Sequence, residues 1–454
     1  MIFLAGLALI ASSGARAADE SSKPAVGGEI LVAPEAGASK VQLRPSAAFN
    51  GEVYLVTWQD GVGTLGLKAC EIWAARLDKS GKQLDEKGIL VCKVEGKEMR
   101  KKPVVAACGE DFLVVWEDYR NGKDYDLYAA RVTGDGKVLD PNGFVVSAAP
   151  GVQVMSSVAS DGKTGWLATW ADFRSGKDYD AYAARISPDG KVMDPDGLAV
   201  ATGRTAFNAQ WHPSVVWGDG AYLLHWRISD FMYLARVTTD GKITSALDGS
   251  ANPETRSYTL NNEDAKKAGP GAVANNASSE NRSIIATGPG GCVTMQLTHS
   301  GKSWSSFFAY LMERDGKPHT VTNKEYAPDK LMSTQHNNPG LGVRPINVEK
   351  NDEVSELCAA PLGKDFLIVA QLRRRPDNRL ESKAEDSILA CRVQMDGNCP
   401  DYKTGWITIE ATPGYNKSYP NTCGGPDGEC LVVYERDKDR GDHKVAARIV
   451  KCVK

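Results

Sequence analysis

The sequence predicts an all-β protein made of seven repeated four-stranded sheets, and three observations carry that prediction. One segment is written twice in succession, from Phe112 to Val146 and again from Trp166 to Val200. The arginine that closes its third strand recurs along the chain, mostly 51 to 56 residues apart. No window shows the 3.6-residue apolar period of a helix. Short strands repeating at this period are typical of a β-propeller.

The recurring arginine gives the number of sheets. It ends strands of the type YAARV, and the 156 residues between Arg236 and Arg392 suit two units rather than one. A degenerate copy fills this gap, with CVTMQL beginning at Cys292 and FFAYLMERDGK beginning at Phe307. With that copy the count is seven, the others being marked by Arg76, Arg131, Arg185, Arg236, Arg392 and Arg448.

Each copy contains four strands in a fixed order. In the second copy these are PVVAA, FLVVW, LYAARV and FVVS, with the hairpin signal GDGK after the third strand. The last copy stops after its third strand, VAARIV. The segment GEILVAP, at 28–34, has the character of a fourth strand. We therefore predict that this N-terminal strand completes the last blade and closes the ring, which leaves only short, protected sheet edges.

The predicted organisation is one domain preceded by an export signal. An apolar stretch ending in Ala-Arg-Ala predicts a signal peptide at 1–17, cleaved after Ala17, followed by a flexible segment at 18–27 and the propeller at 28–454. A polar insertion is predicted at 248–282, and no later segment is long enough to span a bilayer. The expected location is secreted or periplasmic. The predicted blades are 41–95, 101–150, 153–203, 210–248, 282–325, 355–412, and 418–454 with 28–34.

Charge and cysteine content narrow the classes of function. The formal net charge is −3 and the pI about 6.1, so there is no overall basic footprint for nucleic acid. Ten cysteines in an exported chain suggest disulfides. Cys423 and Cys430 flank one hairpin turn and Cys391 and Cys399 another, so these are the candidate pairs. No CxxC or CxxH spacing occurs, and no metal centre is predicted.

Charged residues that recur in every copy are interpreted as architectural. Asp118, Arg120, Asp126 and Arg131 return as Asp172, Arg174, Asp180 and Arg185, which suggests ion pairs that fix loops over the sheet. The alternative is calcium bound by turn aspartates, among them Asp124, Asp126, Asp178, Asp180, Asp140 and Asp194. Calcium-binding loops carry denser oxygen ligands than these. No cofactor is therefore predicted.

Departures from the repeat indicate where a ligand would bind. The fourth copy brings Trp211, His212 and Arg227 into one short segment with a shortened polar loop. These side chains are the candidate ligand-binding residues, beside the central channel, where aromatic surface with a few polar groups suits a sugar or peptide. The alternative is that the aromatic residues only pack the blade. There is no HExxH or GxSxG motif, and no catalytic residue is identified.

The repeats also resemble those of a group of exported bacterial proteins. The shared form is [FY]LVVWxDxR…DIYAARVxxDGxxLDPxG, strongest in the first three copies and faint in the fifth. The resemblance implies a propeller and export. It carries over no catalytic residue, because the shared positions are architectural.

These observations favour a non-catalytic binding or interaction module whose partner is an extracellular glycan or protein. Two alternatives stay open. One is an extracellular glycoside hydrolase, lyase or sialidase-like enzyme with its site in the central channel, and the other is a structural component of a cell-envelope assembly.

Overall fold

The structure is a computed structural model that describes part of the 454-residue chain. The described residues are 23–37, 39, 41–62, 69–93, 98–202, 211–228, 231–246, 284–300, 304–317, 319, 342–343, 352–374, 385–402, 404–438 and 442–452. The predicted signal peptide and the whole of the predicted insertion at 248–282 lie outside them. In the described part, no helix is long and apolar enough to cross a membrane.

The strands form seven antiparallel sheets arranged in a ring, so the predicted seven-bladed β-propeller is confirmed. Blades 1 to 4 contain strands β3 to β18. Their bounds are, for blade 1, β3 Gln42–Phe49, β4 Val53–Asp60, β5 Glu71–Asp78 and β6 Ile89–Cys92; for blade 2, β7 Arg100–Cys108, β8 Asp111–Asp118, β9 Asp126–Val132 and β10 Phe144–Ser147; for blade 3, β11 Gln153–Ser160, β12 Trp166–Asp172, β13 Asp180–Ile186 and β14 Leu198–Ala201; and for blade 4, β15 Trp211–Gly218, β16 Ala221–Ile228, β17 Phe231–Val237 and β18 Ile243–Ser245.

Blades 5 to 7 follow the same order, and a short 3-10 turn at Pro426–Gly428 separates two strands of blade 7. The degenerate fifth copy does form a blade. The bounds are, for blade 5, β19 Ile284–Gly288, β20 Gly291–Ser300, β21 Trp304–Met312 and β22 Gly342–Val343; for blade 6, β23 Asp352–Leu362, β24 Asp365–Arg374, β25 Glu385–Val393 and β26 Ile407–Glu410; and for blade 7, β27 Asn416–Gly424, β28 Cys430–Asp437 and β29 His443–Lys451 with β1 Ala25–Val26 and β2 Ile30–Leu31.

The N-terminal strands close the ring at blade 7, as predicted. Both β1 and β2 pair antiparallel with β29, with Ile30 opposite Ala447. Between them Glu29 accepts a hydrogen bond from Tyr434 at 2.9 Å and forms an ion pair with Arg436 at 2.6 Å. The fourth-strand position of the last blade is therefore filled by the beginning of the described chain.

Apolar side chains fill the spaces between blades. Seven clusters of buried residues are present among the described side chains, one between each pair of neighbouring blades, including the pair formed by blades 7 and 1. The recurring tryptophans Trp58, Trp116, Trp170 and Trp226 are fully buried in them. The two faces of each sheet therefore bury alternate side chains, which explains why the second strands are apolar almost throughout.

In blades 1 to 4 the recurring arginine joins its blade to the next one. Arg131 forms an ion pair with Asp140 of its own blade at 2.8 Å, and its Nη1 donates to the carbonyl of Pro188 in blade 3 at 3.2 Å. Arg76 is bound in the same way by Asp85 and by the carbonyl of Gly134. Equivalent bonds join Arg185 to Thr239 and Arg236 to Asp315, whereas Arg448 of blade 7 donates to the carbonyl of Gly27 in its own blade.

This junction also depends on a glycine of the following blade. Gly136 has a φ of +90°, and a Cβ built there would lie 2.9 Å from Nε of Arg76. Gly190 and Gly241 meet Arg131 and Arg185 in the same way. The DGK turns therefore need glycine both for their backbone conformation and for the space that the arginine occupies.

The second repeated ion pair is also architectural. Asp118 pairs with Arg120 at 2.6 Å and accepts a hydrogen bond from Nε1 of the buried Trp116 at 2.8 Å. The guanidinium carbon of Arg120 lies 3.8 Å from the ring centroid of Tyr128. Blade 3 repeats the arrangement. Both carboxyl oxygens of Asp140 accept hydrogen bonds from the guanidinium of Arg131.

Candidate functional site

A cavity lies on the axis of the ring. The first strand of each blade contacts the first strands of both neighbouring blades. Residues from all seven first strands line the cavity between them, which has a volume of about 410 Å³. Small-molecule sites in proteins have volumes of about 300–1,000 Å³. The cavity is thus large enough for a small ligand or the end of a chain, and too small for a folded partner.

The first strands share an irregularity at the start of this cavity. In six blades the pairing of the first and second strands shifts register near the second to fifth residue of the first strand. At each shift one residue other than glycine has a φ between 36° and 59°. This is a β-bulge with a left-handed residue. We call these six residues the bulge ring: Arg44, Lys102, Met155, His212, Glu356 and Tyr419.

The bulge ring lies at one end of the propeller. Each ring residue is close to the beginning of a first strand and therefore beside the end of the antiparallel second strand. The loops between second and third strands leave from that end. The equivalent position of blade 5 falls at Arg282, outside the described residues. Five of the six ring residues line the cavity directly, and at Glu356 its neighbour Leu357 does so.

The identity of the ring residues is unusual for their conformation. Glycine adopts a positive φ without steric cost, whereas other residues lose about 1–2 kcal/mol there. The chain uses glycine for this purpose at Gly136 and Gly190, yet it has six different large side chains in the ring. Strain that persists at equivalent positions is a mark of a functional site. The six side chains also differ from one another in size and charge, which makes the bulge ring the candidate functional site.

Hydrogen bonds from the preceding blade hold the bulge backbone in place, and they recur in several blades. The N–H of Lys102 donates to Oε1 of Gln59 at 3.0 Å, and that of Met155 to Glu117 at 2.9 Å. The N–H of Arg44 donates to Oε1 of Glu435 at 2.7 Å. In each case the acceptor belongs to the second strand of the preceding blade. These bonds offset part of the cost of the strained backbone, since each satisfies a buried N–H.

Two of these acceptors are buried carboxyl groups with different electrostatic surroundings. Glu117 is fully buried, with Nζ of Lys102 at 3.3 Å and Nζ of Lys101 at 3.8 Å. Glu435 is 3% exposed. Burial raises the pKa of the Glu435 carboxyl to about 7, and the nearby charge of Glu356 adds to this, against the opposing effect of Arg44. Glu435 is therefore partly protonated at neutral pH.

Arg44 and Tyr419 meet across the junction of blades 7 and 1. The guanidinium carbon of Arg44 lies 3.4 Å from the centroid of the Tyr419 ring, a cation–π contact. This contact uses the face of the guanidinium and none of its five N–H donors. Both residues line the cavity, so the junction that closes the ring also contributes to its site.

The three residues of blade 4 that were predicted to bind a ligand lie at the same end of the propeller as the bulge ring. His212 is a member of the bulge ring and lines the cavity. Trp211 and Arg227 face each other in the register of β15 and β16, at the same end of the propeller. Their side chains lie outside the described part of the structure. Their role in binding stays a prediction.

The other five ring residues were missed by sequence reasoning. A signal does exist, because proline follows the ring residue in four blades, as Arg44-Pro45, Lys102-Pro103, His212-Pro213 and Tyr419-Pro420. Proline has no N–H to donate and is tolerated where a bulge interrupts the ladder. A residue with a large polar side chain followed by proline, 10 to 12 residues before each FLVVW-type strand, would have pointed to the ring.

The candidate disulfides are thiols in this structure, as are all ten cysteines. Cys423 packs with Leu431 between blades 7 and 1, whereas Cys430 packs with Cys358 between blades 6 and 7. The two members of this candidate pair thus lie on opposite faces of one sheet. Cys391 and Cys399 share a single buried cluster. That geometry is compatible with the predicted pair.

Comparison with known proteins gives a fold likeness and no family. No family model and no curated protein matches the chain. Among solved structures, it is similar to a protein of unknown function from Dyadobacter fermentans, with 10% identity over 95% of this chain and 100% of that one, at a TM-score of 0.46.

Two glycan-active enzymes are among the similar structures. Trypanosoma rangeli sialidase has 10% identity over 90% of this chain and 54% of its own, at a TM-score of 0.42. An arabinanase of Bacillus subtilis has 12% identity over 67% of this chain and 96% of its own, at a TM-score of 0.31. At these scores the likeness carries no conclusion about activity, and the site has to be judged on its own residues.

Proposed function

We propose that this protein is a binding module for an extracellular glycan, with the bulge ring as its binding site. The observation that carries the proposal is the set of different large side chains held at left-handed bulges around one cavity. A cavity of about 410 Å³ admits one or two sugar units or a chain end. A protein partner would have to present a protruding segment, which makes it the weaker choice.

The lining has the mixture of surfaces that sugars require. Arg44, Lys102, His212 and Tyr419 supply hydrogen-bonding groups that point from different blades. Pro45, Pro103, Pro213, Pro420 and Met155 provide apolar surface between them. A pyranose has hydroxyl groups around its edge and C–H groups on its faces. A ring of polar groups with apolar surface between them matches both.

The test is binding of the mature protein to a glycan array, followed by calorimetry with the best ligand. We expect Lys102→Ala and Arg44→Ala each to weaken binding at least tenfold, because each removes a donor inside the cavity. Lys137→Ala and Arg314→Ala are matched controls, since both residues are exposed in turns that follow third strands, at the end of the propeller opposite the ring. Binding that is equally weakened by the controls, or that survives both ring variants, would contradict the proposal.

A hydrolase or lyase that uses the same site is the second candidate. It is favoured by Glu435, a buried carboxyl with a pKa of about 7 beside the cavity, because a general acid must hold its proton near neutral pH. The two candidates are separated by incubating each array ligand with the protein and analysing the products. Turnover that Glu435→Gln abolishes while binding persists would establish the enzyme, and intact ligand would favour the binding module.

A further inference from the structure

We propose that the ligand is an acidic saccharide and that its carboxylate is bound between Arg44 of blade 1 and Lys102 of blade 2. This inference rests on the proposed function and adds the chemical class of the ligand. It follows from the distribution of charge around the ring and from which of those charges are accessible.

On blade 2 the positive charges outnumber the negative charge that they face. Lys101 and Lys102 are neighbours at the start of β7, and both approach the single carboxylate of Glu117. The Glu117 side chain is fully buried, whereas the side chains of Lys101 and Lys102 are 24% and 37% exposed. Oε1 of Glu117 is shared between Lys102 and the N–H of Met155. Lys102 and Glu117 line the cavity, whereas Nζ of Lys101 lies 3.8 Å from the centroid of the Tyr125 ring, so the group as a whole carries an excess of one positive charge.

On blade 1, too, the positive charge exceeds the negative charge beside it. The guanidinium of Arg44 lies on the ring of Tyr419, so its planar N–H groups are left for a ligand. The buried carboxyl beside it, Glu435, already accepts hydrogen bonds from the N–H of Arg44 and the hydroxyl of Ser418. Its partial protonation at neutral pH further reduces the negative charge near Arg44.

Arg44 and Lys102 are neighbours in the bulge ring. Blades 1 and 2 have first strands that contact each other, so Arg44 and Lys102 are consecutive members of the ring. The one acidic residue among the six, Glu356 in blade 6, acts on the buried carboxyl of Glu435, whose pKa it helps to raise. An arginine and a lysine side by side are a natural site for a carboxylate, the first as a bidentate donor and the second as a compact charge.

The apolar part of the lining restricts the kind of anion. Pro45 and Pro103 follow the two cationic residues directly, and both line the cavity. A free inorganic anion would gain nothing from these surfaces. A sugar acid, in contrast, places C–H groups against them while its carboxylate meets the cations. We therefore assign the site to a uronic-acid residue or a comparable sugar acid, within a chain or at its end.

The experiment compares each acidic ligand with its own neutral counterpart. Oligosaccharides of galacturonate, of mannuronate and guluronate, and of alternating glucuronate are tested by calorimetry beside the same oligosaccharides after reduction of their carboxyl groups to alcohols. We expect at least one acidic oligosaccharide to bind about tenfold or more tightly than its reduced form. Its affinity should fall as sodium chloride rises from 50 to 500 mM, because the contact is ionic.

The ring variants then locate the carboxylate. Lys102→Gln and Arg44→Gln should each reduce binding of the acidic ligand about tenfold while leaving the weaker binding of the reduced ligand unchanged. Lys102→Arg should retain most of the affinity, and Lys137→Gln, at the opposite end of the propeller, should have no effect. Circular dichroism and thermal melting confirm that each variant is folded.

The outcomes separate this inference from the function on which it rests. If acidic and reduced oligosaccharides bind equally and both lose affinity in the ring variants, the site is a neutral glycan site and the charge assignment is wrong. If the array contains no ligand that depends on the ring, the proposed function fails as well. If the acidic ligand binds tightly and the ring variants leave it unaffected, the anion is held elsewhere.

Discussion

Replacing the bulge ring with glycine tests whether its side chains are kept at the expense of stability. Two proteins are compared, one with all six ring residues changed to glycine and one with all six changed to alanine. Neither has the functional side chains, so their difference reports only the backbone. At a left-handed position glycine avoids a steric cost of about 1–2 kcal/mol. It costs about 0.5–1 kcal/mol more than alanine in lost chain entropy.

The expected difference follows from these two values. Each site should favour glycine by about 0.5–1 kcal/mol, and six sites by about 3–6 kcal/mol if they contribute independently. For a chain of 454 residues the unfolding entropy is about 1 kcal/mol per kelvin. The glycine protein should therefore melt about 3–6 °C above the alanine protein in calorimetry.

As a control, glycine is introduced at first-strand positions outside the bulges, where it should lower the stability of the protein instead of raising it. Ala106, Ala107 and Ala359 lie in first strands with ordinary backbone angles and are half-buried. Changing these three to glycine should lower the free energy of unfolding by about 1.5–3 kcal/mol. A glycine ring protein that melts at or below the temperature of the alanine ring protein would refute the reasoning.

Three further predictions follow from single side chains. Burial raises the pKa of Glu435 from 4.5 to about 7 in the folded protein, so the folded state holds this proton more tightly than the unfolded state. The stabilisation that comes from this raised pKa is complete below pH 4.5 and is lost as the pH rises through 7, a change on the order of 3 kcal/mol in the free energy of unfolding. Glu435→Gln does not titrate, so in urea unfolding its stability relative to the wild-type protein should be higher at pH 8 than at pH 4. Arg131→Met and Asp140→Asn should each destabilise the protein, with a coupling energy of about 1–2 kcal/mol in a double-mutant cycle, because each leaves a partly buried charge without its partner. Cys452 is exposed while eight other thiols are buried, so it should react first with a thiol reagent, and Cys452→Ser should remove the fast phase.

Each of these three has a result that would contradict it. An unchanged pH profile in Glu435→Gln would mean that this carboxyl titrates normally. The ion pair of Lys79 and Glu52 has side chains 46% and 80% exposed, so its coupling should fall below about 0.5 kcal/mol. A coupling of Lys79 and Glu52 as large as that of Arg131 and Asp140 would mean that partial burial adds nothing to the coupling of the latter pair. A fast thiol phase that persists in Cys452→Ser would place the reactive cysteine elsewhere.

The blades were predictable because their determinants are local and repeated. Strands such as FLVVW combine β-branched and aromatic residues with turn signals at fixed distances, and seven copies average out the irregularities of any one. The closure at residues 28–34 followed from counting strands, since the last copy lacks a fourth one. The junction made by Arg131 was visible only as a recurring residue. Its partner in the next blade is a carbonyl oxygen, which leaves no trace in the sequence.

The site was harder to predict because its defining property is a backbone angle. The side chains of Lys102 and Met155 do not indicate a positive φ. That angle is imposed by the register shift and by a hydrogen-bond acceptor on the preceding blade. Only His212 was identified, because its aromatic neighbours broke the repeat. The pair Cys423 and Cys430 shows the opposite error. Proximity in a hairpin suggested a bond, but strand register puts the two sulfurs on different faces.

The arginine junctions make blades 2 and 3 interchangeable. Blades 2 and 3 each present the same glycine turn to the arginine before it and the same arginine to the turn after it. Exchanging these two blades would leave their joints with equivalent partners, while Lys102 and Met155 would swap places around the axis. The bonds that join these blades therefore do not depend on which side chain each blade contributes to the bulge ring.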